Sequence, residues 1–177
     1  HRNHEQAIWM AQTGMTTEGR PTLGAWTAYG LGTENRNLPA FVALPDPGGP
    51  SVDGLRNWSS GWLPPHYQGT VFHEQGSPVL NLQPKQPRSR AIEDARARLL
   101  RQLNGRHLAQ RPGELELEAR IDTFELAGRM QLAATDALDL SQETEATQKM
   151  YGLDDPTTKS YGTRCLMARR LIERGVR

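Results

Sequence analysis

Residues 55–70 read LRNWSSGWLPPHYQGT, and they set Asn57, Ser59 and Ser60 among the rings of Trp58, Trp62 and Tyr67. Amides and hydroxyls both donate and accept hydrogen bonds. Indole and phenol rings add flat apolar faces with a polar edge. From such groups a wall for a ligand with both polar and apolar sides can be built, and Trp58, Trp62 and Tyr67 are the ring types on which sugars stack. Pro64 and Pro65 fix φ and stiffen the stretch. It is too broken for a helix, too irregular for a long strand, and too aromatic for a disordered linker. The rings either face a ligand or anchor the loop to the scaffold, and both readings stay open.

Other chemistry-bearing residues are scattered. His1 and His4 stand close together beside Glu5, but this spacing is not a zinc signature and further ligands are not evident. Asn3 and His4 lie at a helix start, where free backbone N–H groups and the positive end of the dipole suit an anion. His66 and His73 flank YQGTVF as ligand or general-base candidates, although loop histidines most often only make hydrogen bonds. Ser59 and Ser60 lack the G-x-S-x-G setting of a nucleophile elbow. Cys165 is the single cysteine, which rules out an internal disulfide; its helical position predicts a small core residue. Arg169 and Arg170 read as a solvated helix face. The arginines of residues 88–111 alternate with Glu93 and Asp94, a pattern for intrahelical pairing rather than a nucleic-acid stripe.

The elements that must position these residues follow from punctuation and periodicity. NHEQAIWMAQTG reads as a helix capped by Asn3, with Gln6 in the capping-box position, an apolar side of Ala7, Ile8 and Ala11, and Gly14 at its end. RPTLGAWTAYGLG reads as a second helix with Pro21 in its first turn and Gly30 or Gly32 at the exit. The run from Ala40 to Leu44 fits a short strand buried on both faces, as in a parallel sheet. Residues 45–87 form a long irregular region with one further strand expected at PVLNL. The part from 88 to 174 is helical. Ile92, Ala95, Leu99 and Leu103 mark one helix face, and Leu117, Ile121, Phe124, Leu126, Met130 and Ala133 mark the next, the two joined as a hairpin. A last helix runs from about Lys159 to Arg174 with Tyr161, Cys165, Ala168 and Ile172 on its apolar side. Beyond Gly175, Val176 and Arg177 read as the start of another element, and the chain begins almost at a helix start. Both ends therefore look cut, and residues 1–177 are expected to be a single incomplete domain from inside a larger protein.

Composition narrows the classes. At 177 residues with 36% apolar content the chain can bury a core. A net charge of +1 gives no general pull towards nucleic acid or an anionic membrane. No apolar run approaches the roughly 20 residues that cross a bilayer.

Five segments, NHEQAIWMAQTG, GRPTLGAWTAYGLGTENRNLPAFVAL, NWSSGWLPPHYQGT, ARIDTFELAGRMQ and YGTRCLMARRLIERGVR, resemble in this order stretches of a large bacterial family of sulfatase-like proteins. These proteins carry twin-arginine export signals and are placed in the alkaline-phosphatase-like superfamily. The resemblance implies an α/β fold, here part of an α/β/α sandwich, helix-rich with few strands and a long irregular loop region. It implies an exported (periplasmic or cell-surface) hydrolase of sulfate or phosphate esters assisted by a divalent metal, zinc or calcium, whose ligands lie mostly outside this chain. In sulfatases a cysteine or serine nucleophile starts a helix that ends in a TG pair. Thr13-Gly14 end the matching helix here, and the nucleophile's place falls at or beside His4, so the implied catalytic positions are Asn3 and His4. Asn57, Trp58, Ser59, Ser60 and Tyr67 become the implied binding residues for an anionic small molecule or sulfated glycan. The alternative is a non-catalytic cell-surface protein that uses the same scaffold to bind glycans or partners.

Overall fold

The computed structural model describes residues 3–48, 53–73, 79 and 89–177. Helix α1 (His4–Thr13) starts where the side chain of Asn3 accepts the Glu5 N–H at 3.1 Å, and it stops at Gly14, whose left-handed φ of 77° returns its N–H to Met10 O. None of its residues is fully buried. Helix α2 (Leu23–Leu31) starts one step later than the sequence suggests. Thr22 is the cap and Pro21 precedes it, and Gly32 is the exit. Its small residues Ala25 and Ala28 face inward.

Strand β1 (Val42–Ala43) pairs in parallel with β2 (Thr70–Val71), Val42 opposite Thr70 and Ala43 opposite Val71. The expected strand from 40 to 44 is thus narrower than its apolar run, because ladder partners and not apolarity define a strand. β2 falls within the region expected to be loop. The strand expected at PVLNL lies outside the described residues except for Val79, which packs against the core. After Gly175, Val176 is buried and Arg177 N–H donates to Ala40 O at 3.4 Å, beside the entry to β1.

From Arg90 onward the chain is mainly helical, as expected. Helices α3 (Arg90–Ala109) and α4 (Leu115–Leu138) form the hairpin, with Gly113 left-handed at φ 85° in the turn. Short α5 (Glu145–Met150) and long α6 (Lys159–Glu173) follow. The core lies where α4, α6 and the strand pair meet: Leu38, Phe72, Met130, Ala134, Ala137, Leu171 and Val176, with Val42, Leu44 and Leu126 against it. The faces expected to be apolar are covered only in part. Met130 is buried, but Phe124, Ile92, Leu99 and Leu103 are exposed.

Helix α6 sits rotated from the expected orientation. Tyr161 and Ile172 face water and Cys165 is only half-buried, whereas Gly162, Leu166, Met167, Arg170 and Leu171 are buried. The inward face contains a glycine and an arginine, so it looks less apolar in sequence than its neighbour. Arg170 is therefore not part of a solvated face; it is 4% exposed. Its Nε donates to Ala137 O at 2.8 Å, its Nη2 to Asp136 O at 3.0 Å and to Gln142 Oε1 at 3.2 Å, and its Nη1 to Glu143. Arg169 adds a 2.9 Å bond to Glu143, and Arg174 a 3.1 Å bond to Asp136. A buried guanidinium is tolerable when its N–H groups meet acceptors in this way. The Arg170 hydrogen bond holds the Glu143 carboxyl below its ordinary range, and the Arg174 bond does the same for Asp136. In α3 the expected intrahelical pairing is seen between Arg96 and Glu93 at 3.1 Å.

Candidate functional site

The 53–69 loop is held by its own polar groups. A 3-10 turn, Gly54–Trp58, follows Asp53, which takes a left-handed φ of 74°. Asn57 is buried, with its Nδ2 donating to Gly54 O at 3.1 Å. Ser59 O accepts both the N–H and the hydroxyl of Thr22 at 3.2 Å, and Ser59 Oγ accepts the Gly61 N–H at 3.0 Å. Ser60 is buried and its carbonyl takes the Leu63 N–H. At Gly61 the chain has φ 57°, and a Cβ there would stand 2.5 Å from the backbone of Arg20 and Pro21. Only glycine lets the loop lie this close to the start of α2. Trp58 is half-buried, its carbonyl accepting the Gly69 N–H at 2.9 Å. The polar groups of Asn57 and Ser59 thus brace the loop.

What this bracing leaves outside is a row of rings. Trp62 meets Trp26 of α2 at 5.1 Å between centroids, Trp26 meets Tyr29 at 6.0 Å, and Tyr29 meets Tyr67 at 5.3 Å. Consecutive planes are turned by 76–85°. His66 lies tilted against Tyr67 at 3.9 Å and closes the row. Edge-to-face pairs of this kind contribute about 0.5–1.5 kcal/mol each beyond area burial. They fix the rings relative to one another, yet Trp62 stays 62% exposed, Tyr29 53% and Trp26 42%. Because neighbouring planes alternate, the row is no flat plate; it offers faces from two directions.

Trp26 and Tyr29 were not legible as site residues. Their signal lies inside α2, where the alanines at 25 and 28 turn in and the large rings beside them are left outward. Of the residues singled out from sequence, Tyr67 belongs to the row, on the 3-10 turn Pro65–Tyr67 that packs against α2 and α4. Trp62 belongs to it as well. Asn3 and His4 are exposed at the start of α1, and α1 packs against the 54–58 turn that carries Asn57 and Trp58. His66 and His73 are exposed. Among the described residues no three of His, Cys, Asp and Glu lie close enough to share a metal ion.

A family model described as a protein of unknown function, DUF1501, matches residues 1–177. The chain belongs to the DUF1501 family. No curated protein and no solved structure matches it. The candidate site of this DUF1501 chain is a braced loop with an alternating row of exposed rings, and among the described residues no helix is long and apolar enough to cross a membrane.

Proposed function

We propose that this chain grips a carbohydrate along Trp62, Trp26, Tyr29 and Tyr67, as the substrate-holding part of an exported sulfatase-like hydrolase of sulfate or phosphate esters. The observation that carries the reading is that three large rings are ordered by mutual edge contacts and still stand open to water. Ordered and exposed aromatic surface is costly to leave uncovered and marks a binding face. Sugars present C–H faces to rings and hydroxyls to the phenol and indole edges, so an alternating row suits a chain of sugar units that turns as it runs.

The hydrolase part rests on the resemblance of five segments to sulfatase-like proteins, with an alkaline-phosphatase-like α/β/α sandwich as the parent fold. In that reading the α1 start, with Asn3 and His4, faces the ester anion, and its free N–H groups favour negative charge there. Zinc or calcium would need ligands outside the described residues. A non-catalytic glycan-binding role on the same scaffold is favoured by Asn3, whose side-chain oxygen is already engaged by the Glu5 N–H.

Calorimetric titration with a panel of neutral and sulfated oligosaccharides tests the binding claim. Trp62→Ala and Tyr29→Ala should each weaken binding by roughly tenfold or more, as for aromatic anchors, with the fold retained and the melting temperature lowered by only a few degrees. Unchanged affinity in both variants, or no binding to any member of the panel, overturns it. Assay of His4→Ala against aryl sulfate and aryl phosphate separates the two forms: loss of turnover supports the hydrolase, and full activity removes His4 from its chemistry.

A further inference from the structure

The 3-10 turn that carries Tyr67 also borders a second feature of the surface. Pro65, in the same turn, forms one wall of an open cavity of about 330 Å³ whose other walls come from a single face of α4: Glu116, Ala119, Arg120, Thr123 and Phe124. Those residues stand three and four apart, so they occupy successive turns of one helix side. Ala119, small and buried, lies in the lining between its longer neighbours. Phe124 stands at its edge, 72% exposed. Thr123 turns its hydroxyl back to Ala119 O at 2.7 Å.

Arg120 is the notable member. Glu116 is four residues before it, the favourable order for an intrahelical pair, yet Arg120 makes no ion pair among the described residues. Among the other arginines of the hairpin, Arg96 pairs with Glu93, Arg129 with Glu125 and Arg111 with His107, whereas Arg98, Arg101 and Arg106 resemble Arg120 in making no ion pair among the described residues; only Arg120 lines the cavity. A cavity wall thus carries a planar, permanently charged fork with its donors available, beside an exposed phenyl ring and bordered by the turn that carries Tyr67. That combination matches an oxyanion borne on an apolar-faced ring. Guanidinium groups take such oxyanions in two-pronged fashion.

We propose that this cavity is an acidic-sugar subsite, in which Arg120 receives the sulfate or carboxylate of the unit adjoining the one held at Tyr67, and Phe124 and Pro65 contact its ring. The proposal rests on the glycan reading above. Glu116 sets a direction: it repels the oxyanion towards Arg120 and accepts a hydroxyl of the same unit.

The test is titration of the wild-type chain and of Arg120→Gln, Glu116→Gln and Trp62→Ala with three oligosaccharides of equal length. These are a neutral chitin oligomer, unsulfated chondroitin carrying carboxylate only, and chondroitin 4-sulfate. The wild type should prefer an acidic oligomer over the neutral one by about tenfold or more, the scale of one charge-assisted contact, and the preference should shrink as salt rises. Arg120→Gln should erase the preference and keep the neutral affinity, and Glu116→Gln should strengthen acidic binding. The unsulfated and sulfated chondroitins separate the two anions, since preference for the sulfated oligomer over the carboxylate-only one assigns the subsite to sulfate and equal binding assigns it to carboxylate. If the neutral oligomer binds through Trp62 but Arg120→Gln keeps the wild-type preference, the subsite is overturned and the row stands. If no oligomer binds, or Trp62→Ala binds all three as the wild type does, the row falls and the subsite with it.

Discussion

Arg170 and Trp62 sit in opposite settings. Around Arg170 the polar groups of α4, α6 and the 139–143 turn close on one another: one buried guanidinium meets two backbone carbonyls, an amide and a carboxylate. Around Trp62 the polar groups of the loop are likewise turned to internal bonds, but the rings they leave behind remain in water. Both regions are ordered by directional contacts. The first uses them to close a core against solvent, whereas the second uses them to hold a surface open. Order without burial is the mark of a surface kept for something else.

That contrast breaks first at Arg170. Arg170→Ala takes the guanidinium donor from Ala137 O and Asp136 O and leaves the Glu143 carboxylate with Arg169 alone, and removing one partner of a buried pair costs about 3–5 kcal/mol. Chemical denaturation should show that loss. Pairing Arg170→Met with Glu143→Leu should recover much of it, since apolar replacement of both partners removes the unpaired charge. Failure of Arg170→Ala to destabilise the chain would remove the difference between the two regions.

Acid should act next, and on the same side. Ser141 holds the Asp139 carboxyl below its ordinary range, as Arg174 holds Asp136 and Arg170 holds Glu143. A carboxylate with a depressed folded pKa stabilises fully above its unfolded value, and that contribution is lost as pH falls towards the folded value. Stability should therefore be flat at neutral pH, begin to fall near the ordinary values of 4.5 for glutamate and 3.8 for aspartate, and keep falling below them. In the Arg170→Met/Glu143→Leu variant the acid slope should be shallower. A melting temperature followed from pH 7 downward reads both.

The smallest effect on stability belongs to the ring row. Trp62→Ala should move the unfolding free energy by no more than about 1.5 kcal/mol, since an exposed side chain gives up mainly one edge-to-face pair. Its effect should be confined to glycan binding. A loss as large as that at Arg170 would mean that the rings anchor the loop and do not serve a ligand.

Much of the scaffold was legible because its signals are local. Asn3 and Gly14 frame α1, Gly32 ends α2, and the α3–α4 hairpin and α6 lie close to where periodicity put them. Tertiary choices were less so. Thr70-Val71 becomes a strand only because β1 lies beside it, and nothing in two residues announces that. Arg170 was misread because an arginine on a helix is usually solvated, though its neighbours Leu166, Met167 and Leu171 lie on the same side. At the site, Trp62 and Tyr67 were picked out by type. Their bridge through Trp26 and Tyr29 depends on a contact between α2 and a loop distant in sequence, which composition cannot encode.

The parallel pairing of β1 and β2 has a consequence of a different kind. Parallel neighbours cannot be joined by a tight hairpin and require a long crossover, which is usually a helix. Here the crossover includes the aromatic loop, fastened at its far end where Gly69 meets Trp58 and near its middle where Ser59 meets Thr22. A helix in this place would have to keep its inward stripe to stay folded. A stapled loop has no such repeat to preserve. The outward positions between its fastenings can therefore drift one at a time, so this stretch can acquire new specificities while the strand register beneath it stays fixed.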